Sequence, residues 1–168
     1  MARDTQAPAI PIPTDAFLEH WQGHRRVTRR VIQTFPENEL FQYSIGGMRP
    51  FSAMAFEMIS MAAAGIRGIA TGQWDSGREL LHHSGAPAPA TRDALLHLWD
   101  QTTDQINALW PQIPPPRFLE VDTAFGSYEG VIYGLLQYWI DNEIHHRGQG
   151  YVYLRALGIE PPAFYDRS

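Results

Sequence analysis

Residues 51–72 read FSAMAFEMISMAAAGIRGIATG. This stretch is apolar on nearly every face of a helix, which is typical of the central helix of a bundle. Phe51 and Ser52 are expected to serve as a staple residue and an N-cap, and Gly72 is expected to close the helix. The stretch contains one acidic residue, Glu57, whose carboxylate is expensive to bury unless it has a partner.

Three further segments have the spacing of apolar residues that indicates a helix. They cover roughly residues 15–35, 91–110 and 127–157. Pro36 is expected to end the first segment, and Thr91 is expected to cap the second. Ser127 and Gly158 are expected to bound the last one. We find no convincing alternating strand, so the sequence predicts an all-α protein built as a four-helix bundle.

The length of 168 residues corresponds to one domain, residues 1–168, with a polar and proline-rich segment at residues 1–13 that we expect to be flexible. That segment lacks the basic-then-apolar order of a signal peptide. The chain also has no apolar run of 18 residues, so no transmembrane helix is expected. A cytoplasmic location follows by default.

Two residue types are absent from the chain. Without cysteine it has no disulfides, thiolate nucleophiles or cysteine-bound metals, and without lysine it has neither a Schiff base nor a Walker-type phosphate loop. All 13 basic residues are therefore arginine, and the net charge of −5 argues against a nucleic-acid partner. A cluster of arginines on the first helix is interpreted as a solvated face: Arg25, Arg26, Arg29 and Arg30.

Polar side chains interrupt the apolar and aromatic stripe of the last predicted helix at Asn142, His146 and Gln149. Asn142 and His146 are four residues apart and therefore share a helix face. Two interpretations remain open. Either Glu57 meets these side chains in the core, where they share a metal or a hydrogen-bond network, or Glu57 lies at an exposed edge and His146 is a satisfied core histidine.

Other histidines and aromatic residues are further candidates for a functional site. His20 and His24 form an HxxxH pair on the first helix, for which packing is favoured over metal binding. The linker residues His82 and His83 cannot share a helix face, and His145 is expected to form an exposed pair with Asp141. An aromatic pocket near the site is expected from four residues, although such stripes are often plain core: Trp74, Tyr138, Trp139 and Tyr153.

Residues 143–149 read EIHHRGQ, and residues 153–162 read YLRALGIEPP. This combination resembles the last helix of the DinB (DNA-damage-inducible) family. The spacing of Arg49, Phe51 and Ser52 to position 57 and the sequence TGQW at residues 71–74 are also similar to that family. The resemblance covers about three of the four predicted helices.

The resemblance implies an up-up-down-down bundle that is commonly a homodimer and binds zinc or nickel through three histidines. One histidine comes from the second helix and two come from an HxxxH pair on the last helix. The corresponding positions here are Glu57, Asn142 and His146, so a single histidine remains. Such a set would favour a six-coordinate ion with several waters, or the metal is lost and the three side chains form a structural network.

Two functions follow from the resemblance. The first is a divalent-metal-dependent transferase or hydrolase that uses a small-molecule cosubstrate; since the chain has no cysteine, any thiol must come from that cosubstrate. The alternative is a catalytically degenerate, metal-free dimeric bundle with a ligand-binding or stress-response role. Gln149 and the aromatic residues would border the ligand, and neither nucleic acid nor membrane is expected as a partner.

Overall fold

The computed structural model describes residues 12–168. Of the segment expected to be flexible, residues 1–13, residues 1–11 lie outside the described part of the chain. Within residues 12–168 the helices are α1 (Thr14–Thr34), α2 (Glu37–Gln42), α3 (Phe51–Thr71), α4 (Arg92–Leu109) and α5 (Ile132–Ala156). Short 3-10 turns at Trp110–Gln112 and Pro115–Leu119 follow α4. The described chain is therefore mostly helical, as predicted.

A β-hairpin precedes α5, and the prediction of a strand-free chain is wrong. Strands β1 (Val121–Ala124) and β2 (Tyr128–Val131) pair antiparallel. Phe125 and Gly126 both have positive φ, 55° and 70°, which is the pattern of a tight hairpin turn. Ser127 belongs to this turn and donates its backbone N–H to the carbonyl of Ala124, so it does not cap a helix. The last helix consequently starts at residue 132 instead of residue 127.

The other helix boundaries follow local chemistry closely. The side chain of Thr91 accepts a hydrogen bond from the Ala94 backbone N–H, which confirms the predicted cap. Gly72 closes α3 in the left-handed conformation, and Gly158 has a φ of 76° just beyond α5. Ser52, however, is not an N-cap, because the helix begins at Phe51 directly after Pro50. The short helix α2, which begins after Pro36, was not predicted.

Helix α3 lies at the centre of the fold and makes its most extensive contacts with α4 and α5. Its buried side chains belong to two apolar clusters, one on the side of the hairpin and one on the side of α2. By length and composition alone, α3 is apolar enough to cross a membrane. However, 67% of its most apolar window is buried inside the protein, which is what a core helix requires.

A buried polar network joins α1 to α5. Thr28 donates its hydroxyl to Glu143 (2.6 Å), and Arg147 donates to the Thr28 hydroxyl (3.1 Å) and to the Nδ1 atom of His24 (2.9 Å). Glu143 and Arg147 are four residues apart on the last helix and form an ion pair at 3.9 Å, fully inside the protein. Burial raises the pKa of Glu143, because desolvation opposes its charged form.

Arg25 corrects the interpretation of the arginine cluster on α1. Only 1% of this residue is exposed, and its guanidinium lies 4.1 Å from the centre of the Trp99 ring. It donates to the Thr103 hydroxyl and to the Trp99 carbonyl, both at 2.9 Å. Arg25 thus fixes α1 against α4 from within the core. A solvated face is wrong for this residue because α4 covers it.

Candidate functional site

Glu57 and His146 meet between α3 and α5. The Glu57 Oε1 atom lies 3.2 Å from His146 Nε2, and the Asn142 amide donates to the same oxygen at 3.4 Å. The Glu57 side chain is 16% exposed, so it does not lie on the outer surface. The structure therefore confirms that the two inward-facing polar groups contact each other, and it brings Asn142 to them.

Arg49 occupies the second oxygen of the same carboxylate. Its guanidinium donates to Glu57 Oε2 at 2.6 Å. The Tyr153 hydroxyl donates to the Arg49 backbone carbonyl at 3.0 Å, which holds the segment before α3 in place. Sequence reasoning placed Arg49 in the family spacing but assigned it no contact. Both oxygens of Glu57 are thus held by groups of the protein itself.

The hydrogen bonds of His146 favour its protonated form. Its Nδ1 atom lies 2.9 Å from Gln149 Oε1, while its Nε2 atom faces a carboxylate oxygen. With the Gln149 amide oxygen facing Nδ1, both neighbours accept, and this arrangement favours the imidazolium form. Burial alone would lower the pKa of His146, but the hydrogen bonds to Glu57 and Gln149 raise it. The His146 and Arg49 hydrogen bonds lower the pKa of Glu57 to about 2.

A cavity of about 530 Å³ opens beside this pair. It lies between α3, α5, the hairpin and the connection that follows α3, and Glu57 forms part of its wall. Two of the aromatic residues expected at a pocket, Tyr138 and Trp139, line it. The lining also includes apolar and histidine side chains: Met61, Leu80, His82, His83, Ala124, Phe125, Val131 and Leu135. The cavity is therefore mostly apolar, with a few polar side chains in its wall.

The remaining residues predicted at the pocket lie elsewhere. Trp74 packs behind Trp139, with ring centres 6.3 Å apart, and its indole N–H donates to Asp122 at 3.0 Å. Tyr153 is fully buried and packs edge-on against Tyr43 at 5.6 Å, away from the cavity lining. Trp74 thus supports the cavity wall, while Tyr153 supports Arg49.

Two glycines of α3 let these indoles approach the helix backbone. A Cβ atom at Gly65 would lie 2.5 Å from the Trp139 ring, and one at Gly68 would lie 2.2 Å from the Trp74 ring. Real Cβ atoms do not make such contacts, so both positions require glycine for this packing. Trp139 is consequently held between α3 and the cavity.

Sequence reasoning missed the residues that connections bring to the cavity. His82 and His83 lie in the connection after α3, with ring centres 3.9 Å apart, and both line the cavity. Phe125 and Glu129 reach it from the hairpin. Helical periodicity carries no information about such residues, because their position depends on how the connections fold back onto the helices.

The other histidines are held by their own neighbours. His20 and His24 stack edge-on at 4.6 Å, but each of them has an arginine on its Nδ1 atom: Arg167 for His20 and Arg147 for His24. Two guanidinium groups beside the pair disfavour a cation there. His145 contacts Gln149 at 3.4 Å, so the expected pair with Asp141 is wrong.

The donor chemistry of Glu57, Asn142 and His146 fits a tightly bound zinc or nickel ion poorly. The set has one imidazole, a neutral amide and a carboxylate whose charge Arg49 already balances. Within residues 12–168, no group of three histidine or acidic side chains is placed to hold a metal. The predicted ligand set stays a prediction, and we assign no chemical step to a metal at this site.

Comparisons with known proteins identify the family. The DinB family model matches residues 2–168, whereas no curated protein matches the chain. A DinB-like protein from Bacillus cereus ATCC 10987 is 18% identical, with a TM-score of 0.71 over 90% of this chain and 97% of that chain. The DinB-like protein YjoA from Bacillus subtilis is also 18% identical, with a TM-score of 0.68 over 88% and 96% of the two chains. The solved structures share the fold, and because the family model spans nearly the whole sequence, the chain belongs to the DinB family.

Proposed function

We propose that this DinB family protein binds a small organic molecule in the cavity beside Glu57, without a resident metal. The observation that carries the proposal is the occupation of both Glu57 oxygens, one by Arg49 and the other by His146. A carboxylate held in this way is a fixed polar group in the wall of a mostly apolar cavity. Ligand sites are typically concave and apolar, with a few convergent polar groups, as this one is.

The up-up-down-down helix order, a homodimer, a cytoplasmic location and a role in a stress response belong to the same proposal. Each of them stays an expectation, and the family resemblance or the default reading of the sequence supports it.

A blocking variant tests the ligand site. Gly134 lines the cavity from α5, and nothing lies within 4 Å of a Cβ atom built on it. Gly134→Leu therefore places a side chain at the cavity without a backbone clash. Gly148→Leu is the matched control, because Gly148 is also on α5 with free space around it but does not line this cavity.

Binding of a neutral aromatic probe, 2-naphthalenemethanol, is followed by NMR chemical shifts. We expect shifts of the Trp139 indole in the wild type and in Gly148→Leu, and none in Gly134→Leu. Equal shifts in both variants would place the probe outside the cavity and overturn the proposal.

The second candidate is the metal-dependent transferase or hydrolase with a low-molecular-weight thiol cosubstrate. The observation that favours it is the approach of Asn142 and His146 to one oxygen of Glu57. Three side chains directed at one point are what a metal site needs, although their chemistry is a poor match.

Calorimetry with zinc and nickel separates the two candidates. We expect the wild type to bind each ion with a Kd above about 10 μM. The double variant Glu57→His with Asn142→His restores three imidazoles and should gain roughly several kcal/mol of binding free energy. Adding Arg49→Gln removes the competing cation and should strengthen binding further. One ion per wild-type chain at submicromolar Kd would overturn the metal-free proposal. A folded double variant that takes up neither metal would show that the three positions do not converge.

A further inference from the structure

The wall of the cavity combines aromatic rings with carboxylates. Four aromatic side chains line it: Phe125, Tyr128, Tyr138 and Trp139. Two acidic side chains, Glu57 and Glu129, line it as well, and among residues 12–168 no arginine belongs to the lining. Aromatic faces carry negative electrostatic potential and attract positive charge, as does the carboxylate of Glu129, whereas the charge of Glu57 is already balanced by Arg49 and His146.

The aromatic part of the wall is fixed before any ligand binds. The rings of Phe125 and Trp139 are 6.0 Å apart, and both residues are almost completely buried. Trp74 packs behind both of them, at 5.7 Å from Phe125, and is itself anchored to Asp122. A wall of this kind costs little conformational entropy when a ligand binds against it.

Glu129 is the carboxylate that is available to a ligand. Glu57 is engaged by Arg49 and His146, whereas Glu129 forms no ion pair with any residue of the part of the chain described here, residues 12–168. Glu129 lies on β2 and pairs in register with Thr123, beside the turn that carries Phe125. Glu129 is exposed, and its charge is not balanced by an ion-pair partner among residues 12–168.

Of the two histidines that line the cavity, His82 is held towards its neutral form. Burial and the neighbouring His83 lower the pKa of His82, which favours the neutral imidazole. The His83 Nδ1 atom is bonded to the Gly77 carbonyl at 2.9 Å, so this ring is held in place beside His82. The hairpin and α5 thus bring aromatic and acidic residues to the cavity, and the connection after α3 brings the two histidines.

We propose that the ligand of this cavity is an organic cation, a methylated or otherwise bulky ammonium on a small apolar body. The ammonium would lie against the exposed ring of Tyr138 beside Trp139, with Glu129 as its counter-charge, and the apolar body would fill the space near Leu80 and Leu135. This inference rests on the proposed ligand-binding function. It adds the charge and chemical class of the ligand, which the family resemblance does not supply.

The test compares two probes of nearly equal shape. Benzyltrimethylammonium carries the positive charge, and neopentylbenzene replaces its nitrogen with carbon and is neutral. Binding is followed by NMR shifts of the Trp139 indole in the full-length protein. We expect the cation to bind about tenfold more tightly, since cation–π attraction and the charge of Glu129 each contribute to the difference.

Variants assign the difference to the residues named. Glu129→Gln and Tyr138→Leu should each reduce binding of the cation about threefold to tenfold and leave the neutral probe unchanged. Tyr138 is 59% exposed, so its replacement does not disturb the core. Glu39→Gln on α2, remote from the cavity, is the matched control and should change neither probe.

The outcomes separate the two proposals. Equal affinity for both probes, or a preference for the anionic benzylphosphonate, would overturn the inference that the ligand is a cation. The proposal of a ligand site in this cavity would then still hold. Binding of no probe to the wild type, or equal binding to Gly134→Leu, would overturn the proposed function together with this inference.

Discussion

The buried carboxylate of Glu143 balances two buried guanidinium groups, those of Arg25 and Arg147. We expect Glu143→Gln to lower the free energy of unfolding by about 3–5 kcal/mol, because it leaves two buried charges without a counter-charge. Urea denaturation at pH 7 measures the loss. The control Glu19→Gln breaks an exposed pair with Arg26 and should have no measurable effect. A loss below about 1 kcal/mol would mean that the Glu143 carboxyl is already neutral in the folded protein.

His24 predicts a pH dependence of stability. Burial and the nearby Arg147 lower the pKa of His24 from 6.5 to about 3. Below pH 6.5 the unfolded chain therefore binds a proton that the folded protein does not, so this contribution to stability is complete above pH 6.5 and is lost towards pH 3. The slope is at most about 1.4 kcal/mol per pH unit.

Urea denaturation at pH 7, 6 and 5 tests the role of His24. The His24→Asn variant should lose most of this slope, whereas the exposed His97→Asn should keep the wild-type slope. If His24→Asn keeps it as well, His24 is protonated in the folded state.

The close approach of helix α3 to two indoles depends on its glycines. Gly68→Ala should lower the free energy of unfolding by about 1–3 kcal/mol, because the added methyl group meets the Trp74 ring. Gly148→Ala on α5 meets nothing within 4 Å and should raise it by about 0.5–1 kcal/mol through the better helix propensity of alanine. Thermal denaturation of the two variants compares them directly. Equal effects would contradict the packing of Trp74 on α3.

The elements differ in how well the sequence predicts them. Thr91, Gly72 and Gly158 mark helix ends through chemistry confined to a few neighbouring residues, and the structure confirms all three. The hairpin was missed because its strands have four residues each, too short for an alternating pattern, and Phe125 occupies a positive φ that usually needs glycine. Burial of Phe125 against Trp139 offsets the cost of that backbone conformation.

The residues of the candidate site also differ in how well the sequence predicts them. The contact of Glu57 with His146 was predictable, because helical spacing shows which side chains point inward. Arg49, His82 and Glu129 were not, since each lies in a connection or strand whose place depends on the tertiary fold. The electrostatic character of the site follows from those three residues as much as from the two that spacing reveals.

At the scale of the whole molecule, we expect a homodimer. Sedimentation equilibrium at micromolar concentration should give twice the chain mass of 19.0 kDa. Helix α3 does not supply the contact surface, because its apolar faces are covered within the chain. A dimer must therefore use apolar side chains outside α3, such as the exposed Phe164 and Tyr165. A 19.0 kDa species would refute the prediction.

A substitution at Gly65 can change the depth of the cavity during evolution. The glycine does not line the cavity, yet its missing side chain determines how far the Trp139 indole can retreat towards α3. A one-nucleotide change from glycine to alanine would displace the indole and make the cavity shallower while every lining residue is retained. A substitution behind the cavity wall can therefore change the size of ligand that descendants of this chain accept, without altering any group that touches the ligand.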